Sequence, residues 1–99
     1  MAFVIVVNHT TTPNVTGTVQ IGNEIAAFGP LQANTGTQQI EINGSRQPSP
    51  ILVNTGGGQA RSRQAYTFEQ FGAVVLEITQ NRYVNFFVTP GANENAPIR

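Results

Sequence analysis

The chain has no cysteine, no lysine, no aspartate and no tryptophan, and His9 is its only histidine. Without cysteine there is no disulfide framework and no thiolate nucleophile, and the redox compartment is left undetermined. One histidine and no aspartate exclude a Ser-His-Asp triad, a multi-histidine zinc site and calcium loops built on aspartate. His9 therefore reads as a solvated or structural residue, and neither a metal nor a cofactor is expected. Charged residues make up 10% of the chain, against about 25% in an ordinary domain, and five arginines cancel five glutamates. Such a balance gives no electrostatic footprint for nucleic acid or for an anionic membrane surface. Thr, Asn, Gln and Ser supply the polar skin instead, a neutral surface with little repulsion to keep copies apart.

Long apolar runs are missing too. None approaches the ~18 residues of a membrane-spanning helix. The opening "MAFVIVVNHTTT" lacks the basic start and the longer apolar stretch of a secretory signal, and Asn8, His9 and Thr10 follow it directly, so it reads as a strand. With 99 residues the chain has room for one domain and one core, burying roughly 60–70% of its unfolded surface.

What is present is period-two alternation. In "VTGTVQI", Val15, Gly17, Val19 and Ile21 fall on one face and Thr16, Thr18 and Gln20 on the other, the pattern of a half-buried strand. "EIAAF" reads as a short strand closed by Gly29-Pro30. "TQQIEI" alternates again, with Gln38, Ile40 and Ile42 on one face. Turn residues follow at Asn43-Gly44, Pro48 and Pro50. "PILVN" reads as a strand, Thr55–Ala60 as a flexible glycine loop, and "RSRQAYTF" as a strand with Gln64, Tyr66 and Phe68 facing one way. "AVVLEIT" and "RYVNFFVT" form a hairpin, and residues 91–99 a patternless mobile tail. About eight strands at this spacing predict a single all-β domain over 10–90. Its expected architecture is an antiparallel sandwich of jelly-roll type, with residues 1–9 as a possible connector strand.

A two-residue turn at Gln80-Asn81 would pair Ile78 with Tyr83, Leu76 with Asn85 and Val74 with Phe87 on one face. Glu77 with Val84, Val75 with Phe86 and Ala73 with Val88 would share the other. Both faces are then largely apolar, as they are in the opening run, where Phe3, Ile5 and Val7 oppose Val4 and Val6. Leaving four or five such side chains wet forgoes on the order of 5–10 kcal/mol. Another chain, a loop, or a central position for the strand in its own sandwich would each cover them. The unguarded opening strand also fits donation into a neighbour's sheet. Phe3, Val4, Ile5, Val6 and Val7 are accordingly the candidate joining strand, and Val75, Val84, Phe86 and Val88 the candidate receiving surface.

Other candidate sites are sparser. Glu41, Glu69 and Glu77 lie at outward strand positions and read as solubilising charges rather than a glycosidase pair. "NTGGGQARS" lacks the Gly-Lys-Ser/Thr ending of a phosphate loop. Arg61 and Arg63, two apart on one strand, could hold an anion. Together with Tyr66, Tyr83 and Asn85 they are also the residue types of a glycan contact. The sequons at Asn8, Asn14 and Asn43 matter only on a eukaryotic secretory route.

"NVTGTVQIGN", Asn14 to Asn23, resembles a short element of bacterial surface, spore-coat and phage fibre proteins. "PILVNTGGGQARSRQAYTFEQFGAVVLEI", Pro50 to Ile78, is similar in layout to subunits of bacterial endospore appendages. That resemblance implies a small jelly roll that polymerises by sheet augmentation, with Ala2 to Asn8 as the joining segment. Here the contact would be non-covalent, because the cysteines of the known members are absent. The reading that follows is a non-enzymatic subunit of a self-assembling extracellular or spore-surface filament, whose partner is itself. A lectin-like glycan-binding module and a phage or virus decoration protein are the alternatives.

Overall fold

The computed structural model describes residues 2–42, 47–67, 72–89 and 93–99. The expectations for Asn43-Gly44, the Asn43 sequon, Phe68 and Glu69 lie outside them. Among the described residues nine strands occur: β1 (Ala2–His9), β2 (Val15–Ile21), β3 (Glu24–Leu31), β4 (Thr37–Ile42), β5 (Ile51–Thr55), β6 (Gly58–Arg61), β7 (Gly72–Thr79), β8 (Tyr83–Thr89) and β9 (Asn93–Pro97). They form a β-sandwich of one five-stranded sheet, ordered β4-β1-β7-β8-β9, and one four-stranded sheet, ordered β3-β2-β5-β6.

The core is the meeting of the two inner faces. Val4, Val6, Ile40, Ile42, Val74, Leu76, Ile78, Val84, Phe86 and Val88 point in from the larger sheet; Val19, Ile21, Phe28, Ile51, Val53 and Ala60 point in from the smaller. Alternation explains this directly, since successive side chains leave a strand on opposite faces and only one face meets the partner sheet. Gly17 opposes Phe28 in the β2/β3 ladder, and a Cβ there would collide with the Phe28 ring and the Asn54 carbonyl. Its missing side chain makes room for the ring.

Several expectations are corrected. The arrangement is not wholly antiparallel: β1 runs parallel to β7 and antiparallel to β4. The strand order, with β7, β8 and β9 as a meander inside one sheet, does not bear out the jelly-roll subtype. β3 does not close at Gly29-Pro30 but continues to Leu31. The glycine segment is a tight turn at Gly56 and Gly57, both at positive φ, and β6 begins at Gly58, within the expected loop. Beyond Arg61 the chain leaves the ladder, and Tyr66 returns only for an isolated bridge to Ser49. The C-terminal stretch expected to be a tail supplies β9, after which Ile98 is buried and Arg99 exchanges backbone hydrogen bonds with Gln59 of β6, at 2.8 and 2.9 Å.

The β7/β8 hairpin differs from expectation by one residue, and that residue changes everything on it. Arg82 sits at φ 60°, so three residues, Gln80 to Arg82, separate the strands, and the Arg82 amide donates to Thr79 O at 3.3 Å. Ile78 then pairs with Val84, Leu76 with Phe86 and Val74 with Val88. A one-residue slip exchanges the two faces of a strand. Val84, Phe86 and Val88 are therefore core residues, 0%, 0% and 5% exposed, and not a receiving surface. Of that set only Val75 faces outward, half-buried.

The opening strand is likewise corrected. β1 is the second strand of the larger sheet, paired on both sides, with Val4 and Val6 fully buried. Its backbone is spent within its own molecule and is not free to be donated. Of the five candidate joining residues, Phe3, Ile5 and Val7 face outward.

Candidate functional site

The ends of the strands are tied by side chains that the sequence hides. Asn8 is fully buried at the end of β1. Its Nδ2 lies 2.9 Å from Thr12 O, 3.0 Å from Gln32 O and 3.3 Å from Leu31 O, while its Oδ1 accepts from the Thr10 amide and hydroxyl. One carboxamide thus closes the turn after β1 onto the crossing from β3 to β4. A nitrogen so enclosed is no glycan acceptor, which removes the first sequon.

A second tie joins the residues after β6 to β9. Glu94 points inward from β9, and its carboxylate accepts from the Arg63 and Gln64 amides and from the Tyr66 hydroxyl at 2.6 Å. Burial pushes its pKa up, but the Tyr66 hydroxyl, the two amides and the Arg63 charge outweigh burial and hold it below the ordinary value. Tyr66 is raised to about 12 by burial, by that hydrogen bond and by the carboxylate's charge. The pair is a structural latch.

The exposed face of the larger sheet is the remaining feature. Across it, in register, run Gln39, Ile5, Val75, Phe87 and Asn93; the next row is Thr37, Val7, Glu77, Asn85 and Asn95. Ile5 is 36% and Phe87 38% exposed. Glu77 accepts from Asn85 Nδ2 at 3.1 Å and lies 3.9 Å from His9 Nδ1, which places His9 on the solvated rim. Toward β9 the face dips into a shallow depression lined by Arg63, Gln64, Asn85, Phe87, Asn93, Glu94 and Asn95.

Of the residues suggested as glycan or anion contacts, this depression brings together only Arg63 and Asn85. Arg61 ends β6 on the opposite sheet and Arg63 follows in a bend beyond it, so they do not share a strand. Tyr66 is held beneath by Glu94, and Tyr83 is exposed at the far end of β8, opposite Pro97. Phe87, Asn93 and Asn95 were missed. Phe87 was hidden by the slipped register and the asparagines by the tail assignment.

Edges matter as much as faces, because an edge strand offers unpaired N–H and C=O groups. β6 is covered by Arg99. β9 carries Pro97 and the inward carboxylate of Glu94. β3 contains Pro30 beside a register shift in the β2/β3 ladder, and its Gly29 amide is taken by Gln38 Oε1 at 2.8 Å. β4 has neither proline nor inward charge, and among the described residues no backbone group pairs with its outer edge. No group of three or more potential metal ligands occurs among the described residues. No protein-family model matches the chain, and no curated protein and no solved structure is significantly similar to it.

Proposed function

We propose that the protein is a non-catalytic structural subunit that assembles with copies of itself, at a cell or spore surface, by adding strands at the open edge of β4. The observation that carries this reading is the contrast among the four edges. Three are blunted by proline, an inward charge or a covering segment, whereas among the described residues β4 presents six residues guarded by Glu41 alone. Antiparallel pairing of two β4 strands about Ile40 would set Glu41 of each copy opposite Gln39 of the other. The one charge on the strand then meets an amide rather than its twin.

A single symmetric contact makes a dimer; extension into a filament needs a second, different surface. Phe3, Ile5, Val7 and Val75, outward on two adjacent strands, supply an apolar one. With 10% charged residues and zero net charge, the chain carries little repulsion against either contact. The joining element is thus moved from the opening strand to the edge beside it.

The test is Gln39→Lys/Glu41→Lys, which charges the outer positions of β4 and leaves Ile40 and Ile42 in the core. Sedimentation velocity and negative-stain imaging should show wild-type species that grow with concentration and a double variant that stays monomeric with an unchanged melting temperature. A wild type that is monomeric up to millimolar concentration, or a variant that assembles like it, would overturn the proposal.

A further inference from the structure

The depression beside β9 has a composition that neither core packing nor edge protection requires. Phe87 opposes Asn93, and Asn85 opposes Asn95. All four point outward, because their neighbours Val84, Phe86 and Ala96 are buried in the core and Glu94 turns to the latch. On such a ladder the four side chains stand about 5 Å apart across the strands and about 7 Å apart along them. The result is one aromatic ring at the corner of a square whose other corners are carboxamides.

We propose that this square is a binding subsite for a neutral sugar ring, with Phe87 as the stacking platform and Asn85, Asn93 and Asn95 as the hydrogen-bonding frame. A pyranose has one face of C–H groups and a rim of hydroxyls. The first suits the exposed ring of Phe87, 38% accessible although a large apolar side chain. The second suits carboxamides, each of which both donates and accepts. Asn85 is already oriented, since its Nδ2 is engaged by Glu77, which leaves its Oδ1 as a placed acceptor. Preorganisation of this kind lowers the cost of binding.

The lining also argues for a neutral ligand. Arg63 and Glu94 stand together on the rim, so the cation is offset by a carboxylate and no net charge recruits an acidic sugar. A peptide strand is disfavoured, because Pro97 and the inward Glu94 close the adjacent edge. The other residues lining the depression are polar or charged, so a protein partner seated within it would meet Phe87 as its one apolar contact, whereas interface hot spots are clustered. This inference does not rest on self-assembly.

The test is a glycan array, followed by 15N–1H NMR titration of the full chain with arrayed neutral hexose or N-acetylhexosamine oligosaccharides. Expected are shifts confined to the backbone and side-chain amides of residues 85, 87, 93 and 95. Phe87→Ala should weaken binding at least tenfold, Asn93→Ala and Asn95→Ala several-fold each, and Val75→Ala not at all. All four positions face outward, so the variants should stay folded, and thermal melts of Asn93→Ala and Asn95→Ala, at exposed sites, should match wild type. Silence across the neutral glycans, shifts mapping elsewhere, or binding that survives Phe87→Ala would each overturn the proposal. Repeating the titration in Gln39→Lys/Glu41→Lys separates it from assembly: binding should persist there unchanged.

Discussion

Replacing Asn8 by alanine tests the most concentrated polar element of the fold. The side chain is fully buried and meets five polar groups: three carbonyls at 2.9–3.3 Å and the amide and hydroxyl of Thr10 at 3.0 and 2.6 Å. An amide nitrogen has two hydrogens, so the three carbonyls share two donors, and about four hydrogen bonds are lost in all. At roughly 1 kcal/mol net for each, with more where the abandoned partner stays dry, Asn8→Ala should cost about 3–5 kcal/mol. That is a large share of the ~5–15 kcal/mol that holds a domain of this size. It should lower the melting temperature by on the order of 15–25 °C. Urea unfolding followed by fluorescence or far-UV circular dichroism measures the difference, and Asn8→Asp is the companion variant. It keeps shape but turns acceptor oxygens toward three carbonyls, so it should be at least as damaging at neutral pH and partly rescued as the carboxyl protonates. A loss below about 1 kcal/mol for Asn8→Ala would refute the view that this side chain ties the two sheet ends together.

The latch makes a pH prediction with two signs. Glu94 is depressed, so its contribution is present above the ordinary value of 4.5 and is lost as pH falls through the lower folded-state value. Tyr66 is raised, so its contribution is intact below 10 and is lost as pH rises toward about 12. Glu94→Gln should flatten the acid limb of a stability-versus-pH curve, and an unchanged limb would count against the latch. Gly17→Ala should destabilise by about 2–3 kcal/mol in urea melts, because the added methyl meets Phe28 and the Asn54 carbonyl in a packed core. Arg82→Gly should be neutral or stabilising by up to about 1 kcal/mol, since glycine adopts φ 60° freely while only an exposed bond to Gly56 O is lost.

How much of this was legible depends on where each residue's environment is set. β2 and β4 could be read residue by residue, with Val19, Ile21, Ile40 and Ile42 inward, because alternation at a half-buried strand is a local record of which face meets the core. The β-sandwich class and the outward placement of Glu41 and Glu77 followed from the same signal. The hairpin register could not be read, since nothing local marks Arg82 as the residue that takes positive φ, and with apolar residues on both faces of β8 either register looked sound.

Sequence alone determined the periodicity, the shortage of charge and the exclusion of thiol, triad and multi-histidine chemistry. Those are properties of residues and their nearest neighbours. Tertiary structure decided that β1 lies between β4 and β7, that the C-terminal segment becomes β9 with Arg99 sealing β6, and that Phe87 shares a face with Asn85, Asn93 and Asn95. Each depends on pairings between residues far apart in the chain. Such pairings are chosen by which partner buries the most apolar surface and satisfies the most backbone groups, and no short stretch encodes that choice by itself.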